Sequence, residues 1–343
     1  LHALQDQLVG QLQLTHVDLD QRANLVLSQQ EVSLRESEKR TAKNNEAILR
    51  ISMALPEYPD LINRCLKQLC LVYPPARENW KTYVRKLLSH KNRYTGLTWA
   101  QDPVLYGVVL INEGSGIDAF AGAFKKTDTL SKVMLGAYHD WLKQNNIKPE
   151  DNRNDGALNQ FIVEKHLEIY QEFSEYINAM GYKGLISDYN QKNYFLIRAV
   201  RDKMDYVDQH NYWDHPSFMP GHSWSFPFLH NQTSLLKYDI WTMRRLMVSR
   251  IFGKPYTMSE LNSSFPNQYR AEFGPMIGAY SSLQDFDGIF RFAWAHKAER
   301  ALHQRPIEGF DTVQDSMVQL SERIVSLMFL RGDVAGSNGG IAW

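Results

Sequence analysis

Leu105-Tyr106-Gly107-Val108-Val109-Leu110-Ile111-Asn112-Glu113 is an apolar run that stops abruptly at a carboxamide and a carboxylate, followed by Gly114-Ser115-Gly116. A continuous apolar run of this length predicts a strand buried on both faces. The Asn-Glu pair then stands at the strand's carboxyl end, which in a parallel α/β barrel is the face where chemistry is placed. The alternative is that Glu113 caps the next helix or marks the strand's exit into water. Asn-Glu alone does not decide between them.

Working outward from this run, the downstream sequence alternates. Helices are predicted over Thr127–Asn145, Asn159–Met180, Leu235–Phe252, Tyr269–Leu283 and Val313–Phe329. Short strands fall between them at Leu185–Ser187, Met204–His210, Tyr256–Glu260 and Ile289–Trp294. Strands alternating with helices argue a parallel sheet. Five such units fit the second part of an eight-unit (β/α)8 barrel, and they also fit an open doubly wound sheet. No Gly-rich phosphate loop follows any of the strands, which lowers the nucleotide-binding version. A loop rich in Pro, His, Trp and Phe over Pro216–Asn231 is predicted to wall or cover a site.

The upstream part reads differently. Residues 1–50 are rich in Gln, Glu, Lys and Arg, with helix over Ser28–Ile51 and feeble strand patches at Leu12–Val17 and Leu25–Leu27. Further helices are predicted over Leu61–Leu71 and Glu78–His90. The division expected is therefore a mostly helical N-terminal segment, 1–90, and the second part of a barrel, 91–343.

Composition sets outer bounds. The 343 residues carry 38 Lys plus Arg against 38 Asp plus Glu, so no basic footprint for nucleic acid exists. No run of apolar residues is long enough to span a membrane. The chain starts at Leu1 without a signal-peptide pattern, and a secreted or periplasmic location is the expectation. Cys65 and Cys70 lie five apart on a predicted helix and point different ways, so no mutual disulfide is expected. His215, His222 and His230 match no tight ligand spacing, and neither metal nor other cofactor is expected.

Two predicted strands end in glutamate, at Glu113 and Glu260. Another ends at His210 with Tyr212 beside it, and the last at Trp294. Two carboxylates across a cup with aromatic walls suit glycoside cleavage, one protonating the leaving oxygen and the other attacking the anomeric carbon or activating water. On that scheme whichever glutamate is the acid is expected to hold a raised pKa and the other to stay ionised.

Leu87-Leu88-Ser89-His90-Lys91-Asn92-Arg93-Tyr94-Thr95-Gly96, Asp102-Pro103 and Leu110-Ile111-Asn112-Glu113 together resemble a cellulase-like group of clan A retaining glycoside hydrolases, close to family 5. Ser259-Glu260-Leu261-Asn262 and Phe265-Pro266-Asn267-Gln268-Tyr269-Arg270-Ala271-Glu272 are similar to that group's seventh-strand segment. Leu283-Gln284-Asp285-Phe286-Asp287-Gly288 and Phe329-Leu330-Arg331-Gly332-Asp333-Val334 are similar to its final segments. The resemblance runs from about Lys86 to Val334. It implies a (β/α)8 barrel, Glu113 as acid/base with the raised pKa, Glu260 as the ionised nucleophile and an oligosaccharide or polysaccharide substrate. The front departs from the pattern, since three strands should precede the Asn-Glu strand, and the Arg expected at the end of the second strand has no counterpart.

The expected substrate-binding residues are Asn112, at the sugar 2-hydroxyl, with His210, Tyr212, Trp213, Trp294 and His296 as walls. Each has a bland alternative: a turn Asn, a satisfied buried His, a core Tyr or Trp. Glu272 competes with Glu260 for the nucleophile's role but sits within a predicted helix, where a structural ion pair is the commoner fate. Two rival functions remain beside the enzyme: a non-catalytic carbohydrate-binding or scaffold protein on a hydrolase-like barrel, and a hydrolase-like body whose N-terminal helices bind a protein partner.

Overall fold

The computed structural model describes residues 65–339 apart from 115, 149–155, 192–194, 223, 226 and 239. The expected strand patches and helix within residues 1–50, and the partner surface assigned to them, lie outside the described residues.

Helix α1 (Pro74–Leu88) opens on a proline pair, which lacks N–H groups the first turn leaves unbonded anyway. It buries Ala76, Trp80, Val84 and Leu88. Strand β1 (Gly107–Val109) follows, then α2 (Gly116–Ala123), α3 (Thr129–Gln144) and α4 (Gly156–Ala179). Asp128 caps α3 by accepting from the Ser131 N–H. Ile162, His166, Ile169, Phe173 and Ile177 form one buried stripe of α4 at helical spacing. Phe173 in that stripe stacks flat on Trp80, ring centroids 3.7 Å apart.

The remaining units are β2 (Leu185–Ser187), α5 (Phe195–Arg201), β3 (Val207–Tyr212), a small hairpin β4 (Ser217–Phe218) and β5 (Phe228–Leu229), α6 (Trp241–Met247), β6 (Tyr256–Asn262), α7 (Phe273–Leu283), β7 (Gly288–Arg291), α8 (Ala298–Leu302) and α9 (Ser316–Val325). β1 pairs parallel with β2, and β3, β6 and β7 pair parallel in that order. The two sheets meet where the Asp205 N–H donates to the Ile186 carbonyl and Ser187 Oγ donates to the Tyr206 carbonyl. Strands from successive β/α units thus stand side by side in sequence order. The chain is α/β with parallel strands, and all five expected strands are present.

The structure corrects the expectation of a long, doubly buried first strand. β1 is three residues and half-buried, and among the described residues it has a strand partner on one edge alone. The helix expected over Leu235–Phe252 contracts to α6, with turns on either side. Pro216–Asn231 holds the hairpin β4–β5.

Two larger apolar clusters and a small one at Tyr189, Ile197, Val200 and Met204 occupy the interior of the described residues. One of the larger two lies among α1–α4 and β1–β2, including Trp80, Phe161 and Ile186. The other lies among β3, β6, α6 and α7, including Val207, Met258 and Phe273. Gly274 lets α7 and α9 touch: a Cβ there would meet the Ser321 carbonyl oxygen at 2.5 Å. No helix among the described residues is long and apolar enough to cross a membrane. No disulfide joins Cys65 and Cys70.

Candidate active site

The chain at and just past the carboxyl ends of β1, β2 and β3 lines one cavity of about 410 Å³, whose wall includes Glu113, His210, Tyr212, Trp213, His215 and Trp241. Glu260 of β6 adjoins it through Tyr212 and His210 but is not itself a lining residue. The chain reaches Glu113 through a guided exit from β1. Leu110 is still paired, its N–H donating to the Ser187 carbonyl at 2.9 Å, while its own carbonyl accepts from Trp80 Nε1 at 2.9 Å. The next backbone donors go to side chains just after β2: Ile111 N–H to Asp188 Oδ1 at 3.2 Å, and Glu113 N–H to Asn190 Oδ1 at 2.7 Å. Glu113 sits at φ 53°, a left-handed conformation that costs a non-glycine residue energy and so needs such anchoring.

β3 and β6 place the other groups. Their register sets His210 opposite Glu260 and Tyr212 opposite Asn262, after an irregularity between Gln209 and His210. His210 Nδ1 lies 2.9 Å from Glu113 Oε1 and 3.6 Å from Glu260 Oε2. Tyr212 donates its hydroxyl to Glu260 Oε2 at 2.6 Å. One oxygen of each glutamate and a ring nitrogen of His210 lie within 4.8 Å of one another. Glu113 and Glu260 remain reachable from solvent, at 27% and 20% side-chain exposure, while His210 is at 2%.

The set Glu113, His210 and Glu260 is compact enough for a divalent cation. Its donor atoms, however, already face hydrogen-bond partners within the protein. The same contacts read directly as a carboxylate pair organised by an imidazole and a phenol.

The expectation of a raised pKa at Glu113 is overturned. The His210 hydrogen bond holds its carboxyl below the usual carboxylate range, outweighing the upward push of partial burial; the charges of His210, Lys67 and His215 act in the same downward direction. Tyr212 moves the opposite way, raised by burial and then by its bond to Glu260.

Behind His210 lies a buried polar layer. Its Nε2 faces Asn190 Nδ2 at 2.9 Å and Ser259 Oγ at 2.8 Å. Ser259 Oγ is in turn hydrogen-bonded to Asp208 Oδ2, while Thr257 Oγ1 donates to Asp208 Oδ1 at 2.6 Å. Burial raises the Asp208 pKa.

Of the expected site residues, Glu113, Glu260, His210 and Tyr212 come together, and Trp213 joins the cavity wall with its Nε1 donating to the Thr233 carbonyl at 3.0 Å. Asn112 stands beside Glu113, its Oδ1 accepting from Asn190 Nδ2 at 3.3 Å. Trp294 follows β7 at the same end of the sheet and is 59% exposed. His296 is held in an ion pair with Asp311, which also pairs with Arg300, and neither Trp294 nor His296 lines the cavity. Glu272 is structural: it accepts from Ser234 Oγ at 2.9 Å and from the Leu236 N–H at 3.2 Å, bracing the segment before α6. The sequence reading missed Asp188, Asn190 and Asp208. The first two stand in Ser187-Asp188-Tyr189-Asn190, a polar group at a strand's carboxyl end, the same signal that singled out Asn112-Glu113.

No protein-family profile and no curated protein matches this sequence. Solved structures of a glycoside hydrolase family 5 mannosidase from Rhizomucor miehei resemble the fold. One is a glutamate-to-alanine mutant in complex with mannosyl-fructose, at 12% identity and TM-score 0.42. A second glutamate-to-alanine mutant and a further crystal structure of the enzyme follow at 13% identity, with TM-scores of 0.41 and 0.39. The match covers 74% of this chain and 58% of theirs. Likenesses of that size assign neither family nor substrate.

Proposed function

We propose that the protein is a retaining glycoside hydrolase acting on β-linked glycans, built on a (β/α)8-type barrel. The observation that carries this reading is the pair of solvent-reachable glutamates, Glu113 just past β1 and Glu260 in the carboxyl-terminal half of β6, with carboxylate oxygens within 4.8 Å and a different hydrogen-bond donor on each. Retaining enzymes hold their carboxyl groups about 5–5.5 Å apart, whereas inverting ones leave about 6.5–9.5 Å for a water.

In this mechanism Glu260, oriented by Tyr212, attacks the anomeric carbon while Glu113 protonates the departing oxygen. The sugar becomes bound to Glu260 as an ester. Glu113, now a carboxylate, takes a proton from water, which attacks the same carbon and releases Glu260. Two inversions give net retention. Asn112 is assigned the sugar 2-hydroxyl. Trp213 supplies an apolar wall, and Trp294 and His296 extend the surface at the same end of the strands.

The test is hydrolysis of a panel of β-linked glycans and aryl β-glycosides, with product anomers followed by NMR. Glu260→Ala abolishes turnover on every substrate. Glu113→Ala keeps a fast first step on activated aryl glycosides, then stalls, and azide rescues it as the β-azide, because that anion needs no general base. An inverted product sinks the double displacement. Binding without hydrolysis of any member of the panel establishes the non-catalytic binder instead.

A further inference from the structure

We propose that Asn190 is a positioning residue for the acid/base: it clamps the backbone of Glu113 and fixes the ring tautomer through which His210 addresses the Glu113 carboxylate. This rests on the hydrolase reading for its kinetic consequence, though not for its structural one.

The argument is a chain of donors and acceptors. A backbone N–H can only donate. The Glu113 N–H lies 2.7 Å from one end of the Asn190 amide, so that end is the oxygen. The amide's other end is then the NH2 group, and it faces His210 Nε2 at 2.9 Å. A donor at that distance requires a lone pair on Nε2. The ring proton of neutral His210 therefore sits on Nδ1, aimed at Glu113 Oε1 2.9 Å away. Asn190 is 2% exposed, so water does not compete for these contacts. Ser259 Oγ also faces Nε2, at 2.8 Å, but gives its proton to Asp208 Oδ2, so toward the ring it can only accept and it competes with Asn190 for the state of Nε2. The Glu113 carboxylate at Nδ1 favours the same tautomer as Asn190.

The same side chain holds three parts of the site. Its oxygen anchors Glu113 in the left-handed conformation, and its NH2 group touches both Asn112 Oδ1 at 3.3 Å and His210. A purely structural asparagine would brace the turn without deciding which nitrogen of His210 carries the proton.

The test uses the full chain with 15N-labelled histidine, the His210 signal assigned by its loss in His210→Ala, and long-range 1H–15N spectra recorded in alkaline buffer. The wild type shows His210 as the Nδ1–H tautomer. In Asn190→Asp the new carboxylate accepts from both the Glu113 N–H and the ring, so the proton moves to Nε2. Kinetically, Asn190→Ala loses about 100-fold on an unactivated glycan, the lower range for general acid catalysis, and under tenfold in the first step on an activated aryl glycoside. A wild-type spectrum with the proton on Nε2 overturns the proposal without any variant. So do an unchanged tautomer in Asn190→Asp and equal losses on both substrates in Asn190→Ala. A wild type that shows the Nδ1–H tautomer but cleaves no glycan leaves the clamp standing and sinks the hydrolase reading.

Discussion

Removing the Tyr212 hydroxyl isolates the support given to Glu260, the proposed nucleophile. Tyr212→Phe deletes one hydrogen bond, 2.6 Å long, to Glu260 Oε2. The ring itself stays held edge-on by Phe310, His215 and Phe292, at centroid distances of 5.2, 5.7 and 6.2 Å. A hydrogen bond to a charged group contributes about 1.5–3 kcal/mol. Since a fifth of the Glu260 side chain faces solvent, water replaces part of the lost bond, which favours the lower half of that range. With about 1.4 kcal/mol per tenfold in rate, kcat/KM falls about 10- to 30-fold. The loss is the same on activated aryl glycosides and on unactivated glycans, because the nucleophile attacks in both. Steady-state kinetics on the two substrates, with thermal unfolding as the control, measure it. A fall under threefold, or a loss confined to unactivated substrates, refutes the assignment of Tyr212 to Glu260.

Other outcomes follow from the same geometry. Trp80→Phe leaves the Leu110 carbonyl without its indole donor and lowers stability by about 1–3 kcal/mol in denaturant titration, with activity falling because that carbonyl begins the turn to Glu113. Because His210 depresses the Glu113 pKa, this bond contributes stability above the ordinary value of 4.5 and loses it as pH falls through the lower folded value; His210→Ala therefore flattens acid unfolding below pH 4.5. Glycan seating removes water from Glu113 and pushes its pKa up, so the basic limb of kcat lies at higher pH than that of kcat/KM, and superimposable profiles contradict this. Dialysis against EDTA leaves the rate unchanged if the two carboxylates act on the sugar directly, and a loss restored by a divalent cation transfers the site to metal chemistry.

The sequence was informative where chemistry and periodicity coincide. Glu113, Glu260 and the His210–Tyr212 pair stand out because a predicted strand ends at each, an apolar run only in the case of Glu113, and the structure brings these four together. The α4 stripe was legible for the same reason: its buried positions recur with the helical period. What was not legible depends on contacts distant in sequence. The length of β1 is set by which strands flank it, and its apolar run gave no sign that one edge lacks a strand partner among the described residues. The depressed pKa of Glu113 comes from His210, 97 residues away, whose ring approaches because β3 stands beside the β1–β2 pair. Asp188 and Asn190 carry the same strand-end signal as Asn112-Glu113, but their role emerges only when the β1–β2 pairing places them against the Ile111 and Glu113 N–H groups.

The two glutamates are alike in type and exposure, yet their surroundings separate them: His210 hydrogen-bonds Glu113 at 2.9 Å and stands 3.6 Å from Glu260. Glu260 receives a phenol, a donor that keeps its proton across the working range and can only stabilise a carboxylate. That suits a group that must be anionic when it attacks and anionic again when it departs. Glu113 receives an imidazole N–H, a weaker commitment, since the ring bears on both carboxylates and backs onto a buried serine and aspartate that can rearrange their protons. A group that must give a proton in one step and take one in the next needs its two states close in energy. In the empty site the hydrogen bond outweighs desolvation and the carboxylate form wins. A seated glycan adds desolvation on the opposite side of that balance and leaves the hydrogen bond in place. The depressed value therefore fits the base half of the proposed cycle, and on that proposal the seated glycan prepares the acid half.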